Sequence, residues 1–232
     1  MDIRSKEDAL FARWKMKKEY LTKTFVVDGA PFPDSFEDSK ARCLIVLKDV
    51  NFDSKDPYTE VFDLRKQLAN KPHNWWWTVA NWCAGISGIH EEKAFTWAEL
   101  VEHHKTDINI RDSLKPFAFM QLKKATGGGS VGANALADHV GFDKEEIREQ
   151  IRIYQPAAII CCGVGNLVNT ILGNSAWSGA TQRGVQYAMA EIDGQRTVVI
   201  DYMHPSARAA KNIVCYGILD AYRELVMPDP AT

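Results

Sequence analysis

The chain has no excess of charge of either sign, no C-x-x-C pair, no apolar run of membrane-spanning length and no G-K-[ST] phosphate loop. With 28 Lys and Arg against 30 Asp and Glu, the formal charge of −2 excludes a uniformly basic surface, although a local basic groove can still hold a nucleic acid. The five cysteines are odd in number, and the spacing of Cys43, Cys83, Cys161, Cys162 and Cys215 matches neither a zinc nor an iron–sulphur framework. Three of them lie inside apolar runs, where a reduced thiol packs as a small hydrophobe. Adjacent Cys161 and Cys162 are either a reactive or metal-binding pair or, beside Ile159 and Ile160, part of that packing. Residues 1–18 carry too many charges for a secretory leader. A cytoplasmic protein that does not span a membrane is therefore expected.

What is present is an alternation of short apolar runs with amphipathic stretches. At 232 residues and 46% hydrophobic, the chain is long enough to bury one sizeable core. The runs at 43–47, 116–122 and 157–162 are uninterrupted, as strands buried on both faces are. A further strand at 196–202 is joined through Asp193-Gly194 to an alternating, more exposed strand at 185–191, which predicts a hairpin. Helical periodicity runs through 4–22, 59–70, 75–88, 134–139, 143–154, 167–172 and 207–225. Thr96 and Glu99 have capping-box spacing, Asp143 is placed to cap a helix that ends before Pro156, and residues 28–39 read as a connector. This pattern predicts an α/β fold: a three-layer sandwich with helices on both faces of a central, mainly parallel sheet of about four strands. Residues 1–40 form an N-terminal helix and connector, 41–226 a single domain and 227–232 a tail.

Open α/β sheets keep their chemistry beyond the C-terminal ends of their strands. There the last strand leads into His204-Pro205-Ser206, followed by Arg208. His204 can donate a ring N–H to charge developing on a leaving group, Ser206 can hold a phosphate and Arg208 adds a fixed positive charge. The same tripeptide also occurs in ordinary turns. The first strand ends in Lys48-Asp49-Val50-Asn51-Phe52-Asp53, the second in Gln121-Leu122-Lys123-Lys124 and the third in Cys162-Gly163. Gly127-Gly128-Gly129-Ser130 follows the two lysines and either wraps an anion or is a plain surface loop. Trp75, Trp76 and Trp77 cannot all face one side of a helix, so at least one approaches the surface or lines a pocket.

The order and chemistry of these four ends resemble the uracil-DNA glycosylase superfamily over residues 42–210. In that family a G-x-[DN]-P-type segment after the first core strand positions water, a strand ending in Asn reads the base, and a His-Pro-Ser loop near the C-terminus completes the site. The resemblance implies that His204 stabilises the departing base, that Pro205 and Ser206 neighbour a phosphate, and that Gln121 stands where the Asn reads the base edge. Glutamine reaches one methylene further, which implies a different base. The first motif departs from the pattern: Lys48 replaces Gly, Val50 takes the place of the acid or amide, and Asn51 replaces Pro. Asp49, Asn51 or Asp53 is then left to position water, and the leucine wedge that often follows His-Pro-Ser is absent.

The implied reaction is hydrolysis of the N-glycosidic bond of uracil or another modified base in DNA, for repair or for defence against modified foreign DNA. A carboxylate such as Asp49 would stabilise positive charge on the sugar and a His204 N–H the negative charge on the base. Lys123, Lys124, Ser130, Ser206, Arg208 and Lys211 would hold phosphates, and Phe52 or one of the three tryptophans would stack on an extruded base. The resemblance implies a monomer that needs neither metal nor organic cofactor. Two other readings fit: a DNA-binding protein of this fold without the chemistry, and a small-molecule enzyme that uses residues 127–130 for a phosphate.

Overall fold

A computed structural model describes residues 2–50, 61–126 and 132–227. Along the chain lie α1 (Ile3–Trp14), β1 (Phe25–Val27), α2 (Pro33–Glu37), β2 (Cys43–Leu47), β3 (Val61–Asp63), α3 (Leu64–Asn70), α4 (Trp77–His90), α5 (Trp97–His103), α6 (Asp107–Leu114), β4 (Phe117–Gln121), α7 (Ala133–Phe142), α8 (Lys144–Tyr154), β5 (Ala158–Cys162), α9 (Gly165–Ile171), β6 (Gly179–Ala180), β7 (Gln186–Ile192), β8 (Gln195–Tyr202) and α10 (Lys211–Val226). The fold is α/β, built on a mixed sheet in the order β4-β2-β5-β8-β7-β6. The first four of these strands are parallel, while β7 runs antiparallel to both β8 and β6. The sheet is thus six strands wide where about four were expected, because the β7–β8 hairpin and short β6 extend the parallel core on one side.

Strand alternation divides the core. Cys43, Ile45 and Leu47 of β2, with Phe117, Phe119, Ile160 and Ile200, pack against α4, α6 and α10. Leu44 and Val46, with Ala118, Met120, Ile159 and Val199, face α1, α8 and α9. Both faces of the parallel strands are covered, which is why these runs are apolar at every position rather than at every second one. All five cysteines are free and buried, as their apolar surroundings predict, and burial raises each thiol pKa. No helix among the described residues is long and apolar enough to cross a membrane.

The N-terminal 40 residues are not an appendage. Ile3, Leu10, Phe11 and Trp14 of α1 lie in the core, and the buried Glu7 carboxylate accepts hydrogen bonds from Arg4 (2.8 Å), Arg65 (2.8 Å), the Ala30 N–H (2.9 Å) and the Tyr154 hydroxyl (2.8 Å). Segment 24–29 runs beside the outer edge of β4, with Val26 N donating to Lys124 O and Phe119 N to Gly29 O, so the free edge of the sheet is covered. Part of the expected connector is helical: Pro33 opens α2, where its missing N–H costs no bond.

Candidate active site

The chain leaves β2 towards β4 on one side of the sheet and leaves β5 towards β8 on the other. Neighbouring strands whose exits diverge in this way leave a crevice above them. The exit of β5 is low: Gly163 turns with φ +71°, its N–H donates to Cys161 O (3.0 Å) and Tyr202 O (2.7 Å), and a Cβ there would meet open space. The exits of β2 and β8 lie two strand spacings, or about 10 Å, apart, with that of β5 between them. Asp49 stands at the first and His204 at the second, close enough that the Asp49 charge favours a protonated imidazole.

The ring of His204 is held in one tautomer. Its Nδ1 accepts the Ser206 backbone N–H (3.2 Å) and lies 2.7 Å from the Ser206 hydroxyl. A backbone N–H only donates, so Nδ1 carries the lone pair and Nε2 the proton. Burial pushes the His204 pKa below its ordinary 6.5, and Lys48 and Lys211 push the same way against Asp49. At neutral pH the group is a neutral imidazole with an Nε2–H to donate. The loop is pinned by Lys211, whose Nζ donates to Pro205 O (2.9 Å) and Ala207 O (3.3 Å), and by Ala207 N donating to His204 O (2.8 Å). Ser206 and Arg208 are exposed on it.

Gln121 closes β4. Its backbone N–H donates to Asp28 Oδ2 (2.6 Å), while its side-chain Oε1 is buried without a hydrogen-bond partner. An acceptor left so costs on the order of 1–3 kcal/mol. On the same face of β4, two residues earlier, Phe119 supports the buried Trp76 ring edge-on at 5.0 Å, and Trp75 lies over Trp76 at 4.2 Å. Of the three indoles, Trp76 is buried, Trp77 half-buried and Trp75 exposed.

One expected phosphate ligand is misplaced. Lys124 is fully buried, with its ammonium 2.6 and 2.7 Å from the Asp28 carboxylate and over the rings of Trp14 and Phe11. It is a core ion pair and not a surface cation, because the chain turns inward one residue beyond Lys123 to pair with segment 24–26. Lys123 remains at the strand ends, its backbone N–H donating to Lys48 O (3.1 Å), and its charge, with that of Lys23, adds to burial in depressing the His139 pKa. Lys123 and Lys48 thus stand just beyond β4 and β2, and Lys211 against the loop that follows β8. Asn51, Phe52, Asp53 and residues 127–130 with Ser130 lie outside the described residues.

A search of protein-family models matches none to this chain. A search of curated proteins finds no relative.

The sequence reading overlooked Asp201 and Asp28. Asp201, three residues before His204, is half-buried, its pKa is raised by burial, and it fits against Gly165, where a Cβ would strike its carboxylate. The Gly163-Val164-Gly165 spacing after a strand was the available signal. Asp28, in the expected connector, ties Gln121, Lys124 and Gln150 together. Away from these ends, a cleft of about 400 Å³ between α1 and α3 is lined by Arg4, Asp8, Asp63, Arg65 and Lys66. Its Arg65 is already engaged by Glu7, Asp8 and Asp63. Among the described residues no cluster of His, Cys, Asp and Glu could hold a metal ion.

Proposed function

We propose that the chain is a DNA glycosylase, related in fold and strategy to the uracil-DNA glycosylase superfamily, which hydrolyses the N-glycosidic bond of a modified or damaged base. The reading is supported by Asp49 just beyond β2 and His204 just beyond β8, near enough for the Asp49 charge to act on the imidazole, whose Nδ1 accepts the Ser206 N–H. Cleavage breaks the bond between C1′ and the base nitrogen, and its electron pair leaves with the base. The Asp49 carboxylate stabilises the positive charge that builds on the sugar, and the His204 Nε2–H hydrogen-bonds the oxygen where the base gathers negative charge. Water adds to C1′ and supplies the proton that the departing base finally takes up. A neutral imidazole with its Nδ1 occupied keeps the Nε2–H that this hydrogen bond needs. Gln121 offers an amide to the base edge, and its unpartnered Oε1 calls for a base that presents an N–H.

The altered first motif, with Val50 in place of the family's acid or amide, favours the second reading: a DNA-binding protein of the same fold that lacks the chemistry. One experiment separates them. Oligonucleotides carrying uracil, deaminated purines or bulky modified pyrimidines are assayed for free base with the parent protein, His204→Ala and Asp49→Ala. Release that falls about 10²- to 10³-fold in His204→Ala, the usual cost of one oxyanion donor, and falls also in Asp49→Ala establishes the glycosylase. Salt-dependent binding of the same oligonucleotides without release of any base establishes the binder.

A further inference from the structure

The segments that follow the strands carry two kinds of group. One is the cationic row of Lys123, Lys48 and Lys211 with Arg208 beyond it. The other is exposed apolar side chains on the segments that follow β2 and β8. Trp75 is 42% exposed, Met203 next to His204 is 40% exposed, and Ile213 in the first turn of α10 is 66% exposed. Trp75 is the most telling of these. Its ring lies on Trp76, which rests on Phe119 of β4, so the exposed indole is held in place by buried aromatics against that strand.

A duplex keeps its base faces stacked inside and offers a protein its phosphates and groove edges. A rigid, half-exposed indole beside a row of cations instead matches single-stranded nucleic acid, whose unstacked bases lie on aromatic rings while lysines track the backbone. We infer that this face binds single-stranded DNA in preference to duplex, with Trp75 as the platform on which a base next to the target stacks. The inference rests on the reading of this face as the DNA site, and it concerns how the strand is presented rather than whether the glycosidic bond is cut.

The test measures fluorescence anisotropy of the full chain with a labelled oligonucleotide of mixed sequence, single-stranded or annealed to its complement, at salt from about 50 to 200 mM. The single strand is expected to bind more tightly at every salt concentration. Four phosphate contacts give a slope of log K against log salt of about −3. Trp75→Ala should weaken single-strand binding about 5- to 150-fold, the loss of one base–aromatic stack, and leave duplex binding nearly unchanged. Trp75→Phe, which keeps a ring, should recover most of that loss and so exclude misfolding as its cause. Duplex binding as tight as single-strand binding overturns the inference, as does a Trp75→Ala effect of equal size on both forms. Failure of the glycosylase reading looks different: single-strand binding stays intact and depends on Trp75, but no base is released.

Discussion

His104 carries a stability prediction that does not depend on any function. The ring is 2% exposed at the end of α5. Its Nδ1 lies 3.0 Å from Leu100 O and 3.1 Å from Asn81 Oδ1, both acceptors, since the Asn81 amide nitrogen is already committed to Trp77 O at 2.7 Å. Nδ1 therefore holds the proton and Nε2 accepts from the Ser113 hydroxyl (2.8 Å). Burial, helped by the neighbouring His103, lowers the pKa from 6.5 to about 4. Because the folded pKa is the lower one, the unfolded chain binds more protons between these values. The stability is fully present above the unfolded pKa and is lost as pH falls through it towards the folded pKa. Linkage over that window gives a loss of about 2 kcal/mol between about pH 7.5 and pH 5, or a fall in Tm of roughly 4–8 °C for a chain of this size. His204, His90 and His139 also have lowered pKa values, so the parent falls further than His104 alone requires. The clean comparison is His104→Gln, which lowers stability at neutral pH but removes this share of the pH dependence. Urea denaturation of both proteins at the two pH values measures it. An unchanged pH slope in His104→Gln would refute the argument that burial holds this ring neutral.

Lys123→Ala and Lys124→Ala should differ sharply despite their adjacency. Removing Lys124 strands the buried Asp28 charge and costs about 3–5 kcal/mol, whereas Lys123→Ala leaves denaturation unchanged and weakens DNA binding, readable by anisotropy. Gly29→Ala places a Cβ on the Glu7 carboxylate and the Tyr154 hydroxyl at a φ of +127°, so it should lose at least about 2 kcal/mol in a chemical melt. Ser206→Ala keeps the backbone N–H that sets the His204 tautomer, and base release should fall less than about 10-fold, far less than in His204→Ala. Equal losses in those two variants would place the hydroxyl, rather than the peptide N–H, in control of the ring.

Where a local rule and the tertiary packing agree, the element could be read in advance. The run 43–47 is β2 residue for residue, Thr96 and Glu99 form the capping box, and Asp193-Gly194 turns the hairpin with both residues at positive φ. Helix α4 runs on through Gly85 and Gly88 to His90, because those glycines serve packing: a Cβ would press on Leu219 at 85 and on Lys93 O at 88. Asp143 sits at the start of α8, but its carboxylate turns to Lys17 and the Tyr20 hydroxyl rather than capping the helix. Residues 61–63, within an apparent helical period, pair with β1 as a strand. Lys124 was the hardest to foresee. A lysine pair after a strand reads as solvated charge, and only the distant Asp28, Phe11 and Trp14 make the second lysine a core residue.

The bond from the Tyr154 hydroxyl to Glu7 spans 147 residues, and Arg65, Ala30 and Arg4 converge on the same carboxylate. During synthesis the first helix leaves the ribosome long before the last member of that cluster exists, an interval of roughly 7–30 s at ordinary elongation rates. Until then Glu7 has no reason to leave water, and the apolar stripe of Ile3, Leu10, Phe11 and Trp14 has only part of its surroundings. Truncated chains that end before residue 154 should therefore expose this stripe to chaperones.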